Sequence, residues 1–280
     1  MKILLLILLT IPLSAYAFPE APFDALTTPR VWTSSNVQDF DFEGIVKLSN
    51  CSGSLVRFSG QPLSSKAIVL TNGHCVKDFG LLEPGEVWHN RTYQRDMKVA
   101  DASGQFYLVK ANKVLYATMT YTDAALFELN ETYLELEKLG VRSFELDGYH
   151  PIEGTSIEIV SGYWERGFRC NIDKFIHKLL EGRWTFNDSI KYSESGCEVY
   201  GGTSGSPIVE TNTRRVVGVN NTGNERGRKC TINNPCEVDE KNNVVVDKGA
   251  GYGQQTYIFY SCLSIDFKID LSLAGCQLPN

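Results

Sequence analysis

Short apolar runs, each closed off by Gly, Asn, Asp or Ser, recur along most of this chain, at residues 45–48, 53–58, 67–71, 105–109, 124–129, 156–160, 206–210, 216–220 and 257–260. They are rich in β-branched and aromatic residues, and many short runs at this spacing predict the strands of a β-barrel or sandwich. Helical periods are scarce. Residues 131–139 and 173–181 are the best helix candidates, the first of them a connector between two β units. There is no repeat of 20–50 residues and no low-complexity tract.

The amino terminus breaks this pattern. Lys2 is followed by an apolar run over residues 3–11, then Pro12, then Ala15 and Ala17 at the two small-residue places a signal peptidase reads. We expect a signal peptide over 1–17, cleaved after Ala17, and the run is too short to span a bilayer. Residues 18–40 carry Pro19, Pro22 and Pro29 without a clear period and are expected to form an arm or a short pro-segment, with Arg30-Val31 as a processing site within it.

Composition narrows the partners. The 280 residues, 42% hydrophobic, suffice for a packed core in one large or two smaller β domains. A net charge of −6 without a basic run leaves no nucleic-acid footprint and makes an anionic membrane surface a poor partner. All eight cysteines, Cys51, Cys75, Cys170, Cys197, Cys230, Cys236, Cys262 and Cys276, follow the expected cleavage site, and an even count in an exported chain reads as disulfides. A zinc site is disfavoured, because no Cys-x2-Cys pair exists and no histidine lies near Cys230 or Cys236. Location outside the cytoplasm, secreted or periplasmic, follows.

Three segments carry the chemistry. In order they are Thr71-Asn72-Gly73-His74-Cys75, then Asp123-Ala124-Ala125-Leu126, then Gly202-Thr203-Ser204-Gly205-Ser206-Pro207. The glycines around Ser204 give the backbone freedom for a tight turn that exposes a hydroxyl beside free N–H groups. A serine hydroxyl needs a base, and of His74, His89, His150 and His177 only His74 follows an apolar run and precedes a cysteine. Asp123 opens an apolar run about midway between the two, unlike Asp96, Asp101 and Asp147. An α/β-hydrolase elbow does not fit: Ser206 stands where its second glycine belongs, and no histidine follows Ser204.

In the order His, Asp, Ser these segments resemble the trypsin/chymotrypsin-like serine proteases, and Ser-Gly-Ser-Pro resembles the bacterial glutamyl-endopeptidase branch most. The resemblance implies an all-β fold of two antiparallel six-stranded barrels, here placed at 41–145 and 146–280, with the active site in the cleft between them. It implies a triad of Ser204, His74 and Asp123, an oxyanion hole from the N–H groups of Gly202 and Ser204, and a Cys51–Cys75 bridge fixing the base. Cys170 with Cys197, Cys230 with Cys236 and Cys262 with Cys276 are paired only by nearness in the chain. The substrate would be a protein or peptide, cleaved by a monomer without metal or organic cofactor.

Specificity is expected from a pocket walled by Glu198, Asn220, Asn221 and Gly223. Glu198 lies six residues before Ser204, where trypsins hold their lysine- and arginine-binding aspartate. Asn220 stands where the glutamyl branch has a histidine, and Thr203 where zymogens have the aspartate that pairs with a new amino terminus. A silent homologue that binds proteins through the same cleft is the alternative reading.

Overall fold

The structure, a computed structural model, describes residues 40–77 and 79–280. The expected signal peptide, Arg30-Val31 and all but the last residue of the 18–40 arm lie outside the described residues.

Six strands form the first ring: β1 (Ile45–Lys47), β2 (Ser52–Arg57), β3 (Lys66–Thr71), β4 (Val87–Ala100), β5 (Phe106–Thr118) and β6 (Ala124–Thr132). They pair antiparallel in the order β1-β4-β5-β6-β3-β2, and a β1–β2 pairing closes the barrel. A short helix, α1 (Tyr133–Glu137), follows, started by a capping box in which Thr132 and Glu135 satisfy each other's backbone N–H. Next, β7 (Phe144–Leu146) lies parallel to β2 and to the later strand β12 (Arg215–Gly223), joining the two halves.

The second ring takes β8 (Ser156–Ser161), β9 (Arg166–Glu181), β10 (Trp184–Tyr192), β11 (Pro207–Glu210) and β12. A hairpin of β13 (Cys236–Val238) and β14 (Val244–Val245) leans on β9, and β15 (Gly251–Gln255) closes the ring between β10 and β12. The fold is therefore two antiparallel six-stranded barrels, as the sequence led us to expect.

The apolar runs are continuous because the strands have two apolar faces. Leu55, Val69, Ala125 and Phe127 fill the first barrel, while their neighbours Val56, Leu70 and Leu126 join Phe144, Val209, Val216 and Phe259 in a layer between the barrels. Ile157, Ile159, Phe168, Ile172, Ile190 and Ile208 fill the second barrel. Successive side chains on a strand point to opposite faces, so burial of both faces requires an unbroken apolar run.

Two expected elements differ. Residues 173–181 are not helical but the second half of β9, paired with β10 along its length and with β13 beyond. Its period-2 signal is broken because a bulge at Asp173 shifts the register against β10, and apolar residues fall side by side at Phe175-Ile176 and Leu179-Leu180. Residues 257–260 are not a strand but belong to a 3-10 turn, Tyr257–Cys262. That turn seals the inter-barrel layer through Phe259 against Tyr116 and Tyr260 against Phe58. All four cysteine pairs expected above are bridged. Among the described residues no helix is long and apolar enough to cross a membrane.

Candidate active site

His74 sits in a 3-10 turn, Gly73–Cys75, directly after β3. The turn presses against β5 so tightly that a Cβ on Gly73 would lie 1.9 Å from the Thr118 carbonyl oxygen, so only glycine fits there. Asp123, whose side chain is 1% exposed, precedes β6, and its carboxylate grips the turn twice. Oδ1 accepts from the His74 backbone N–H (2.9 Å) and Oδ2 from Nδ1 of the ring (2.6 Å). Asn72 donates its amide to the Asp123 carbonyl (2.8 Å), which fixes the carboxylate's own backbone. With Nδ1 donating to a carboxylate, the other ring nitrogen, Nε2, is the available base.

Two further groups hold this turn from behind. The Cys51–Cys75 disulfide ties it to the start of β2. The buried guanidinium of Arg95 donates to the carbonyls of Cys75 and Val76 and to the Asn50 side chain. Burial by itself pushes the His74 pKa down. The charge and hydrogen bond of Asp123, helped by the charge of Glu181, outweigh it and raise the ring above its ordinary value.

Ser204 lies on the turn before β11, at the seam of the barrels. Its carbonyl accepts from the Ser52 N–H of β2 (2.8 Å). Gly205 (φ +82°) leaves no room for a Cβ, which would meet the Ser52 carbonyl at 2.1 Å. Thr203 is buried and bonds back to the Tyr200 carbonyl (2.6 Å), and Asn220 donates to the Thr203 carbonyl (3.0 Å) while accepting from Tyr192 OH (2.9 Å). Asn220 is thus a brace for the Ser204 turn. The Cys170–Cys197 bridge tethers the approach to it.

The Ser204 hydroxyl donates to the Asn221 carbonyl (3.1 Å), and no hydrogen bond joins it to His74 among the described residues. His74, Asp123 and Ser204 nevertheless line one cavity of about 100 Å³. The backbone N–H groups of Gly202 (φ +92°) and Ser204 have no acceptor among the described residues.

A second, smaller cavity of about 30 Å³ (the shallow cavity) shares Ser204, Asn221 and Thr222 with the first and is also lined by Val199, Asn220 and Gly223. Glu198 is not part of it. That side chain is exposed and borders a separate space with Lys191, Asp247 and Lys248. Between the two stands Val199, whose methyl lies 2.7 Å from where a Cβ on Gly251 would be. The carboxylate that does border the shallow cavity is the exposed Glu225.

Asn72, Arg95 and Glu181 were not singled out from sequence. Only Asn72 had a signal, since it lies inside the His74 segment. Arg95 and Glu181 sit in long strands whose residues carry no motif. Among the described residues, Cys51, His74 and Cys75 bring potential metal donors together, but both sulfurs are joined in the disulfide, so no thiolate remains to bind an ion.

A family model described as a trypsin-like peptidase domain matches residues 51–219. No curated protein matches the chain. Among solved structures, the apo form of the MamO protease domain from Magnetospirillum magneticum is 14% identical with a TM-score of 0.50, over 80% of this chain and 97% of that one. A Glu endopeptidase in complex with MPD is 15% identical with a TM-score of 0.45, over 76% of this chain and 85% of that one. The protease Anisep from Arthrobacter nicotinovorans is 15% identical with a TM-score of 0.45, over 77% and 90%. At 14% identity the likeness to the MamO domain is one of fold.

Proposed function

We propose, from the premise that this chain belongs to the trypsin-like peptidase domain family, that it is an exported serine endopeptidase acting through Ser204, His74 and Asp123. One observation carries the reading: the bond from His74 Nδ1 to the buried Asp123 carboxylate (2.6 Å), in a cavity that Ser204 shares. Ser204 Oγ attacks the peptide carbonyl while His74 Nε2 takes its proton. His74 then gives that proton to the leaving amine, and water, activated by the same ring, hydrolyses the acyl-enzyme. Asp123 holds the tautomer and stabilises the imidazolium. The N–H groups of Gly202 and Ser204 receive the developing oxyanion, and losing one such donor costs about 10²–10³ in rate.

The four disulfides support a location outside the cytoplasm. The shallow cavity beside Val199 favours a compact side chain before the cut.

The Ser204–Asn221 bond favours a second reading, a silent homologue that binds protein partners in the cleft. A fluorophosphonate probe separates the two. Labelling of the folded protein that disappears in Ser204→Ala supports the peptidase; absence of labelling supports the binder.

A further inference from the structure

Glu181 ends β9 inside the cleft and is only 8% exposed. Its Oε1 is fixed by the Asn233 backbone N–H (2.6 Å) and the Thr222 hydroxyl (3.0 Å). Oε2 makes no hydrogen bond or ion pair among the described residues. Glu181 lines the same cavity as His74 and Ser204, and no lysine or arginine lines it. The nearest sequence neighbour that could neutralise it, Arg183, is committed elsewhere, to Glu83 (2.7 Å).

A carboxylate taken out of water without a cation is costly, and that cost is relieved when a cation arrives with hydrogen bonds of its own. The rest of the cavity suits a long basic side chain. Leu81, Met119, Trp184 and Ile232 supply apolar and aromatic walls, on which the methylene stem of lysine or arginine packs while its charged end reaches a polar group. A charge-assisted bond to a pre-oriented carboxylate then fixes that end.

We propose that Glu181 is a specificity residue, and that this cavity takes a lysine or arginine side chain from a substrate residue other than the one occupying the shallow cavity beside Val199. The proposal rests on the peptidase reading for its substrate, a peptide lying across Ser204.

The test uses binding, so it does not depend on turnover. Alanine-based peptides carrying lysine or norleucine at successive positions are titrated calorimetrically into the full-length Ser204→Ala protein, and into the same protein with Glu181→Gln added. Lysine should bind about tenfold tighter than norleucine at one position, and the advantage should fall to about twofold or less with Glu181→Gln. Equal binding of the two peptides at every position overturns the proposal, as does an advantage that survives Glu181→Gln. If Glu181→Gln does not fold, Thr222→Val, which frees one of the two bonds orienting the carboxylate, should weaken the lysine advantage; an unchanged advantage overturns the proposal. Absent fluorophosphonate labelling would remove the catalytic reading and leave the cation site standing, whereas equal peptide binding would remove the cation site and leave catalysis standing.

Discussion

His74 is the residue on which opposing influences meet. Burial disfavours its charged form, but Asp123, and behind it Glu181, favour that form more strongly. Only the neutral ring can accept the Ser204 proton, so the acid limb of kcat/KM should lie above the ordinary imidazole value of about 6.5. Glu181→Gln removes one of the influences that raise the ring, so that limb should move to lower pH. A pH–rate profile that does not move would show that the ring does not sense the Glu181 charge. The sign for stability follows from the same shift. A ring whose pKa is raised by folding contributes stability fully below its unfolded pKa and loses it as pH rises through the folded value. The difference in Tm between wild type and His74→Ala should therefore be larger at pH 5.5 than at pH 9. Asp123→Asn should cut kcat by about 10⁴ while the fold persists. Gly205→Ala should destabilise by more than about 1 kcal/mol, read as a lowered urea midpoint, because the Cβ meets the Ser52 carbonyl and φ is +82°.

Among the elements, what could be read in advance depended on how much of the chemistry was local. The His74 turn, the strand after Asp123 and the Ser204 turn were legible because each sets its candidate residue within a few positions of an apolar run, and the two turns carry their glycines there as well. The helical period over 131–139 is equally local, and the helix found within it, α1, is started by a capping box that lies inside the same few residues. The second half of β9 was not, since its partners β10 and β13 and the ion pair from Lys174 to Glu237 all come from later in the chain. Glu198 failed for a related reason. Counting back from Ser204 fixes a sequence distance, but Val199 decides which side of the wall the carboxylate lies on. Val199→Gly should deepen the shallow cavity and widen acceptance toward larger side chains before the cut, measured on a peptide library. A preference unchanged from wild type would show that Val199 does not set its depth. Removing the Cys51–Cys75 bridge as a Ser pair should cost about 3 kcal/mol in the chain-entropy model, read from denaturant midpoints, because its loop separation is 24 residues.

For the molecule as a whole, both rings close among the described residues, through β1–β2 and β12–β15, and one apolar layer glues them together. That layer holds Val56, Phe58, Tyr116, Val216 and Phe259, drawn from both halves of the sequence. The paired faces were visible as runs that do not alternate, whereas the long-range pairings β1–β4 and β12–β15 were not, because register between distant strands leaves no local trace. Phe259→Ala should cost about 3–5 kcal/mol, and both barrels should lose stability together, seen as coincident near-UV and far-UV melting curves. Separate transitions would mean that the layer is not what unites them.

The hydrogen bond from Ser52 to the Ser204 carbonyl crosses that seam at the peptide group of the proposed nucleophile. Aligning the alcohol with the imidazole is thereby a matter of how one half of the protein is seated on the other. Any slippage of the halves, by heat, pressure or a bulky substitution along the joint, would disarm the chemistry before either half melts. Inactivation should accordingly precede unfolding on a rising temperature ramp.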